Sequence, residues 1–333
     1  MTDLSLRSRQ RQRRMTDDLT QPSTDISVVI PVFNEQESLS VLYERLLPVL
    51  LRITRQFEII FIDDGSNDGS FGVLEGLHQR DGRVKVIQFR RNLGKSAALA
   101  VGFEQARGEV IITMDADLQD EPSEIPRFLD SIAQGYDLVS GWKYPRRDPL
   151  SKTLPSLLFN RVVQLMTGLR LHDFNCGFKA YRREVVEELR IYGELHRYIP
   201  VLAFWRGFRV AEIQVCHHPR QFGRSKYGLE RFLRGFLDLL TVLFLNRYNR
   251  RPLHLFGWLG LLTFFAGLAI VLYLSILWFE GVRPIGTRPL LSFGVLFLFM
   301  GVQFVSFGLL AEMVLQTMVF SSHEDYPIKR KLG

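Results

Sequence analysis

The chain has 333 residues, 47% of them hydrophobic, a length that corresponds to about two domains. Its formal net charge of +7 suits an anionic partner such as nucleic acid, phospholipid headgroups or a phosphorylated substrate, although basic residues flanking a membrane segment would give the same excess. Cys176 and Cys216 are the only cysteines and form no C-x-x-C pair, which argues against a zinc site or a disulfide framework.

The N-terminal segment is polar and basic. It contains five arginines within residues 1–14 and has no apolar run, so it does not have the pattern of a secretory signal peptide. We expect residues 1–24 to be a disordered arm, either a solvated tail or a contact for anionic lipid.

Strands and helices then alternate. Apolar runs rich in β-branched residues predict buried strands at residues 26–30, 57–62, 84–89 and 109–114. Apolar residues at helical spacing predict helices at residues 38–51, 71–80 and 96–106. This alternation predicts an α/β fold with a parallel sheet covered on both faces, which binds ligands at the carboxyl ends of its strands.

Two later segments mix apolar and charged residues at helical spacing. Lys152 interrupts residues 150–169, and Arg231 interrupts residues 229–247. Helices of this kind can lie in a membrane interface, and packing on the sheet is the alternative.

The last quarter of the chain contains two long segments without Asp, Glu, Lys or Arg, residues 252–279 and 289–311. Each exceeds the ~20 apolar residues that cross a bilayer, so we predict a transmembrane hairpin. Basic residues flank it on both sides: Arg247, Arg250, Arg251, Lys329, Arg330 and Lys331. The positive-inside rule therefore predicts that both termini and the α/β domain lie in the cytoplasm.

Acidic residues follow the predicted strand at 109–114. Asp115 and Asp117 stand two positions apart at its end, and Gln119 adds a neutral oxygen. Such oxygens could hold Mg²⁺ or Mn²⁺, and the metal would neutralise a diphosphate leaving group. The alternative is an ordinary acidic turn.

Polar residues also end the first two strands. Asp63 and Asp64 could accept hydrogen bonds from a nucleobase or a ribose, or could serve only the turn that follows. Phe33 and Glu35 could line a nucleotide, whereas Asn34 could merely cap the next helix.

Common phosphate-binding motifs are missing from the sequence. It contains neither G-x-x-x-x-G-K-[ST] nor a strand-linked G-x-G-x-x-G, which disfavours Walker-type NTPases and dinucleotide enzymes. Lys95, in a Gly-Lys-Ser fragment, could still reach a phosphate or could simply lie near a helix start.

Three motifs occur in order: P-V-F-N-E at residues 31–35, D-D-G-S at 63–66 and D-A-D-L-Q-D at 115–120. Together they resemble the inverting GT-A glycosyltransferases of family 2. Within that family the chain is similar to the polyprenyl-phosphate glycosyltransferases, which include dolichol-phosphate mannose synthase and the bacterial GtrB-type enzymes. The resemblance covers about residues 25–320.

The resemblance implies roles for individual residues. The metal ligands would be Asp115, Asp117 and Gln119. The nucleotide-sugar pocket would comprise Pro31, Phe33, Glu35, Ile62, Asp63, Asp64, Lys95, Asp115 and Ala116. The catalytic residues would be Asp117, Lys143, Lys152, Arg220, Arg224 and Lys226.

Some positions match the family pattern, and others depart from it. Lys143 and Lys152 stand at or near positions where mannose synthases have arginines for a phosphate, and lysine lacks the bidentate fork. Residues 220–226 match the R-x-x-G-x-S-K loop, which in the family closes over the donor diphosphate. Cys176 replaces a serine in the D-x-x-S-G-F segment.

The activity implied is transfer of a hexose, with UDP-glucose as the expected donor, to a polyprenyl phosphate such as undecaprenyl phosphate. The reaction would invert the sugar and use Mg²⁺ or Mn²⁺. A homo-oligomer such as a tetramer, in the bacterial inner membrane, is also implied. The implied organisation is a basic arm (1–24), a GT-A (Rossmann-like) catalytic domain (25–228), a juxtamembrane amphipathic helix (229–251), a transmembrane hairpin (252–320) and a cytoplasmic tail (321–333).

Other functions fit the sequence less well. GDP-mannose is an alternative donor. A processive polysaccharide synthase would carry a Q-x-x-R-W motif, which this sequence lacks. A non-catalytic membrane adaptor would not need acidic residues at two strand ends. A nucleic-acid partner is not expected, since the basic residues lack aromatic interleaving.

Overall fold

The computed structural model describes residues 24–144, 160–189, 191, 193, 195–216, 218, 252–281, 289–318 and 328–332. These residues belong to two compact units. The first contains a mixed sheet with its covering helices, and the second contains two long helices.

The described residues of the first unit form one eight-stranded sheet. Its strands are β1 (Ile26–Val32), β2 (Phe57–Asp63), β3 (Val84–Phe89), β4 (Val110–Thr113), β5 (Leu138–Lys143), β6 (Lys179–Arg182), β7 (Val210–Val215) and β8 (Ile328–Leu332). Their order across the sheet is β7-β5-β6-β4-β1-β2-β3-β8.

The helices of this unit are α1 (Gln36–Ile53), α2 (Ser70–Arg80), α3 (Lys95–Gln105), α4 (Ile125–Ala133), α5 (residues 160–167), α6 (Arg183–Glu188) and α7 (Ile199–Trp205). Short 3₁₀ turns occur at Pro122–Glu124 and Leu195–Arg197. All seven strands and helices predicted between residues 26 and 114 are therefore confirmed, with no end shifted by more than two residues.

The predicted parallel pairing is confirmed for the centre of the sheet and is wrong at its margins. β1 pairs in parallel with β2 and β4, and β2 pairs in parallel with β3. β6, however, runs antiparallel to both β4 and β5, and β8 runs antiparallel to β3. The alternation on which the prediction rested covers only residues 26–114, so it carried no information on the direction of later strands.

Helix packing on the central strands explains the core. α1 places Leu39, Leu42, Leu46 and Leu50, all fully buried, on one face at intervals of three or four residues. On α3, Gly102 contacts β1 so closely that a Cβ there would clash with the Val29 side chain. The close approach of α3 to β1 fixes the position of this helix, whose first residue is Lys95.

The C-terminal strand was not expected, because residues 321–333 were predicted to be a tail. β8 covers the outer edge of β3, whose backbone groups would otherwise be unpaired. Arg330 lies over the ring of Phe71 at 5.4 Å, and Lys331 Nζ donates a hydrogen bond to Gln105 Oε1 at 2.6 Å. Arg330 and Lys331, which were predicted only to flank a membrane segment, therefore also contact the helices that cover the sheet.

The second unit consists of α8 (Pro252–Phe279) and α9 (Pro289–Met318). Both are long and apolar enough to cross a membrane, with mean hydropathy of 2.3 over Leu253–Phe279 and 2.1 over Pro289–Val314. Glycines bring the helices together: a Cβ on Gly260 would lie 2.8 Å from Gly301 O, and one on Gly267 would lie 2.7 Å from Gly294 O. Small residues at helix contacts are typical of membrane hairpins.

The predicted interfacial helices are described only in part. α5 lies within the predicted segment 150–169, and it buries Val163 while exposing Leu165 and Met166. The segment 229–247 and most of the juxtamembrane region lie outside the described residues.

Candidate active site

The loops that follow β1, β2 and β4 lie at one edge of the sheet, because these three strands are parallel neighbours. The direction of the strand order changes between β1 and β4, which is where open α/β sheets form their ligand crevice. Contacts join the first two loops: Asn34 N donates to Ser66 Oγ at 2.9 Å, and Asn67 N donates to Asn34 Oδ1 at 2.8 Å.

The carboxylates at the end of β2 hold neighbouring backbone. Asp63 is fully buried and accepts hydrogen bonds from Gln88 Nε2 at 3.0 Å and from a backbone N–H of its own turn. Asp64 accepts from Leu93 N at 2.7 Å and Gly94 N at 2.9 Å. Burial raises the pKa of Asp64, and these two N–H groups oppose the rise. Both residues order the loops of the crevice, and their contact with a nucleotide stays a prediction.

The loop held by Asp64 leads into α3. Gly94 has a φ of 91°, a left-handed conformation that favours glycine, and Lys95 follows as the first helical residue. Ser96 Oγ lies 2.9 Å from Nδ1 of the partly buried His196. Burial, together with the nearby charges of Lys95 and Arg197, holds the pKa of His196 well below its usual range, so the imidazole is neutral. Two sets of contacts therefore hold the first turn of α3: those of Asp64 with the preceding loop and that of Ser96 with His196.

Three carboxylates cluster after β4. Asp115 forms an ion pair with Lys95, and about three tenths of each of these two side chains is exposed. Asp117 Oδ1 accepts a hydrogen bond from Gln119 N at 3.2 Å. Asp120 is buried: its Oδ2 accepts from Asp115 N at 3.3 Å, and its Oδ1 lies 3.7 Å from Lys143 Nζ. The predicted metal residues are therefore brought together with two lysines.

The charges of this cluster shift the pKa values of Asp115 and Asp117 in opposite directions. Burial raises the pKa of Asp115, but Lys95 and Lys143 outweigh it, and the net direction is downward. Burial also raises the pKa of Asp117, and repulsion from Asp115 and Asp120 raises it further. Asp117 therefore has an excess of negative charge around it, and a cation beside it would relieve that repulsion.

The lysines of the cluster also differ. Burial lowers the pKa of Lys143, but the negative charge of Asp120 and other nearby groups raises it above its usual range. Lys179 on β6 is almost wholly buried, and its Nζ donates to Cys176 O. Burial lowers the pKa of Lys179. Lys143, at the end of β5, therefore keeps its positive charge at neutral pH. Lys179, in contrast, is buried in the interior next to the acidic cluster.

Other predicted pocket residues line the same edge of the sheet. Pro31 and Ile62 are register partners on β1 and β2, and Ile62 is fully buried. Ala116 is buried within the acidic loop, and Phe33 and Glu35 are partly exposed just beyond β1. A further set of predicted residues lies outside the described part of the chain: Lys152, Arg220, Arg224 and Lys226.

The family model described as glycosyl transferase family 2 matches residues 27–190. Dodecaprenyl-phosphate galacturonate synthase of Rhizobium johnstonii is 39% identical over 91% of this chain and 91% of its own length. Undecaprenyl-phosphate 4-deoxy-4-formamido-L-arabinose transferase of Pseudomonas aeruginosa is 41% identical over 86% of this chain and 84% of its own length. The chain is a family 2 glycosyltransferase of the polyprenyl-phosphate group.

Solved structures show the same fold for the catalytic unit of this glycosyltransferase. Glucosyl-3-phosphoglycerate synthase from Mycobacterium tuberculosis, in complex with phosphoglyceric acid, aligns with a TM-score of 0.53 and 18% identity, over 69% of this chain and 81% of that chain. A complex of that synthase with Mn²⁺, UDP-glucose and phosphoglyceric acid aligns with a TM-score of 0.52 and 17% identity, with the same coverage. The predicted GT-A fold is therefore confirmed.

Several residues of the glycosyltransferase site were missed at the sequence level. Asp120 and Lys179 had no assigned role, although Asp120 stands in the acidic motif itself. Gly177 lies so close to Asp115 that a Cβ there would be 2.6 Å from Asp115 Oδ2. Gly177 and Lys179 reach the acidic loop because β6 runs antiparallel beside β4, a pairing that the sequence pattern did not indicate.

The donor set of the site fits a hard divalent cation that also takes ligands from a phosphate. Asp115, Asp117 and Gln119 all offer oxygen, and Mg²⁺ in such sites is bound by one or two carboxylates plus substrate oxygens. The described residues contain no group of three or more His, Cys, Asp or Glu that could hold a metal ion. Asp120 Oδ1, buried beside this loop, accepts no hydrogen bond from the described residues.

A groove of about 410 Å³ opens beside Lys143. The ring of His172 stacks on that of Trp142, with centroids 4.0 Å apart and an angle of 13° between the planes. Arg161 and the buried Asn160 also line the groove, and Asn160 Oδ1 accepts no hydrogen bond from the part of the chain described. The groove therefore combines aromatic rings with the basic side chains of Lys143 and Arg161.

Proposed function

We propose that this glycosyltransferase moves a sugar from a UDP-linked donor to polyprenyl phosphate, such as undecaprenyl phosphate. The observation that carries the proposal is the convergence of Asp115, Asp117 and Asp120 with Lys95 and Lys143 at the carboxyl end of β4. Two anions, a donor diphosphate and an acceptor phosphate, must meet in this reaction, and the cluster supplies cations on both sides of a cation-binding acidic loop.

The chemical step is a displacement at the anomeric carbon. An oxygen of the acceptor phosphate forms a bond to C1 of the sugar while the bond from C1 to the diphosphate oxygen breaks, and the electron pair leaves with the nucleoside diphosphate. A phosphomonoester is largely ionised at neutral pH, so the attacking oxygen needs no general base. Positioning and charge neutralisation therefore supply the catalysis.

Asp117, with Asp115 and Gln119, would hold Mg²⁺ or Mn²⁺. When bound, the metal supplies positive charge to the departing diphosphate. Lys143, whose ammonium stays charged, would hold the acceptor phosphate. Lys152, Arg220, Arg224 and Lys226 complete the proposed set of cations.

The nucleotide would lie along the ends of β1 and β2. Its contacts are proposed to be Pro31, Phe33, Glu35, Ile62, Asp63, Asp64, Lys95, Asp115 and Ala116. The sequence pattern led us to expect UDP-glucose, with GDP-mannose as the alternative. The two relatives are named for galacturonate and for a formamido-arabinose, and the groove beside Lys143 presents Arg161. We therefore place a UDP-linked sugar acid first, and UDP-glucose becomes the comparison donor.

The proposal is tested by label transfer into lipid. The purified protein is incubated in detergent with undecaprenyl phosphate, Mn²⁺ and one labelled donor at a time: UDP-galacturonate, UDP-4-deoxy-4-formamido-L-arabinose, UDP-glucose or GDP-mannose. We expect label in the organic phase with a UDP-linked donor, one sugar per lipid by mass spectrometry, and a higher initial rate with UDP-galacturonate than with UDP-glucose. Absence of lipid label with every donor would refute the activity, and a polymer would indicate a processive synthase.

The hairpin is proposed to anchor the enzyme in the bacterial inner membrane, with the catalytic unit and both termini in the cytoplasm. β8 follows the two apolar helices in the chain and pairs with β3, so segments before and after the hairpin belong to one sheet. Two spans return the chain to the side on which it started. The exposed Leu165 and Met166 of α5 support the contact with lipid expected for that segment.

This topology is tested with reporters fused after Gly333. Green fluorescent protein in that position should fluoresce, and alkaline phosphatase should be inactive, because each reporter works on only one side of the inner membrane. The reverse pattern would show that the C-terminus is exported. The expected homo-oligomer, for instance a tetramer, stays a prediction that native mass spectrometry in detergent would check.

A further inference from the structure

The side chain of Lys95 contacts the acidic loop after β4. Its ammonium group pairs with Asp115, one of the proposed metal ligands, at a point where both side chains are partly exposed. The backbone of Lys95 is fixed, since Asp64 binds the preceding N–H groups and Ser96 contacts His196. The flexible four-carbon stem of a lysine nevertheless lets its Nζ move while its Cα stays in place.

Both oxygens of Asp115 have close neighbours in the protein. Its Oδ1 accepts a hydrogen bond from Lys95 Nζ. Its Oδ2 lies next to the backbone of Gly177, so that a Cβ at residue 177 would be only 2.6 Å from this oxygen. A divalent cation that binds Oδ1 of Asp115 therefore competes with the ammonium group of Lys95 for that oxygen. The displaced charge then needs a new partner, and a bound diphosphate provides one at the same edge of the sheet.

We propose that Lys95 is an exchangeable counter-ion of Asp115, which holds this carboxylate in the nucleotide-free enzyme and moves to the diphosphate when metal and nucleotide bind together. The proposal rests on the proposed function for the identity of the site. It implies that Lys95 couples the two ligands. Without nucleotide, Lys95 competes with the metal, and with nucleotide it leaves Asp115 and contacts phosphate. By linkage, the nucleotide must also bind more tightly when the metal is present.

The test uses the full-length protein and measures binding rather than turnover. Free Mn²⁺ is followed by electron paramagnetic resonance, with and without UDP, in the unaltered protein and in Lys95→Met. Loss of a cation in direct contact with a ligand should tighten the binding of Mn²⁺ alone by about tenfold or more. The factor by which UDP tightens Mn²⁺ binding should shrink by about the same amount. Lys95→Arg, which keeps the charge, should retain weak binding of Mn²⁺ alone.

A matched control removes a different lysine–carboxylate pair. Lys85 Nζ lies 2.6 Å from Glu58 Oε2, a pair on β3 and β2 that is remote in sequence from the acidic loop. Lys85→Met should leave both Mn²⁺ affinities unchanged, and thermal unfolding of each variant checks that it is folded.

Two results would overturn the proposal: Mn²⁺ alone binds Lys95→Met no more tightly than the unaltered protein, or UDP enhances Mn²⁺ binding equally in both. These outcomes are separable from failure of the proposed function, because no sugar and no lipid enter the experiment. If UDP does not bind, the nucleotide proposal fails, and the comparison with Mn²⁺ alone still decides the role of Lys95.

Discussion

Replacing Asp117 with Asn is expected to lower the rate of sugar transfer by about 10³-fold, the scale on which one preorganised electrostatic contact to a developing charge acts. Asp117 differs from its neighbours because no lysine pairs with it in the described structure, whereas Asp115 pairs with Lys95 and Asp120 lies near Lys143. Burial and two adjacent carboxylates raise its pKa, so a cation is the partner that would stabilise its charged form. Asparagine keeps the shape of the side chain and removes that charge.

The measurement is the initial rate of label transfer at saturating donor and Mn²⁺, accompanied by Mn²⁺ binding in the presence of UDP. Asp130→Asn is the matched control, since Asp130 is an exposed residue of α4 and should transfer sugar at the normal rate. If Asp117→Asn kept more than a tenth of the normal rate, Asp117 could not be the principal metal ligand.

The sequence predicted the elements in which apolar residues form a continuous run or recur at regular spacing. It did not predict the strands whose place depends on pairing with strands that are distant in the chain. The central strands are almost wholly buried apolar runs, so β1 and β2 were recognisable without knowledge of their neighbours. β6 has only four residues, and β8 reads Ile-Lys-Arg-Lys-Leu, a basic segment that looks like a membrane flank. Their place in the sheet is decided by partners that lie far away in the chain.

The same limit applies to the site. The acidic motif was evident because Asp115 and Asp117 directly follow a buried strand. That Lys95 would contact Asp115 could not be predicted, since α3 must first pack on β1 at Gly102 to bring its first residue to the crevice. Asp63 was predicted either to contact a nucleotide or to serve only the turn that follows, and the structure shows both of its oxygens hydrogen-bonded within the protein.

Gly177→Ala is expected to reduce sugar transfer by about 10²-fold while leaving the protein folded. A Cβ at residue 177 would lie 2.6 Å from Asp115 Oδ2 and 2.8 Å from Asp115 Cγ, closer than carbon and oxygen atoms can approach. The main chain of Gly177 is held, because its carbonyl accepts a hydrogen bond from Thr113 Oγ1 at 2.8 Å. The carboxylate of Asp115 must therefore move, and a displacement of about 1 Å at a reacting centre costs on the order of 10² in rate.

The backbone of Gly177 does not have a positive φ, so the added methyl group acts through the contact with Asp115 and not through backbone strain. Gly76→Ala on α2 is the matched control, because a Cβ there meets no atom within 4 Å. That variant should transfer sugar normally and be slightly stabilised, since alanine restricts the unfolded chain more than glycine does. Initial rates and thermal unfolding of both variants separate the two effects. Full activity in Gly177→Ala would mean that the position of the Asp115 carboxylate does not control the reaction, whereas a large loss of thermal stability would mean that Gly177 serves the fold and not the site.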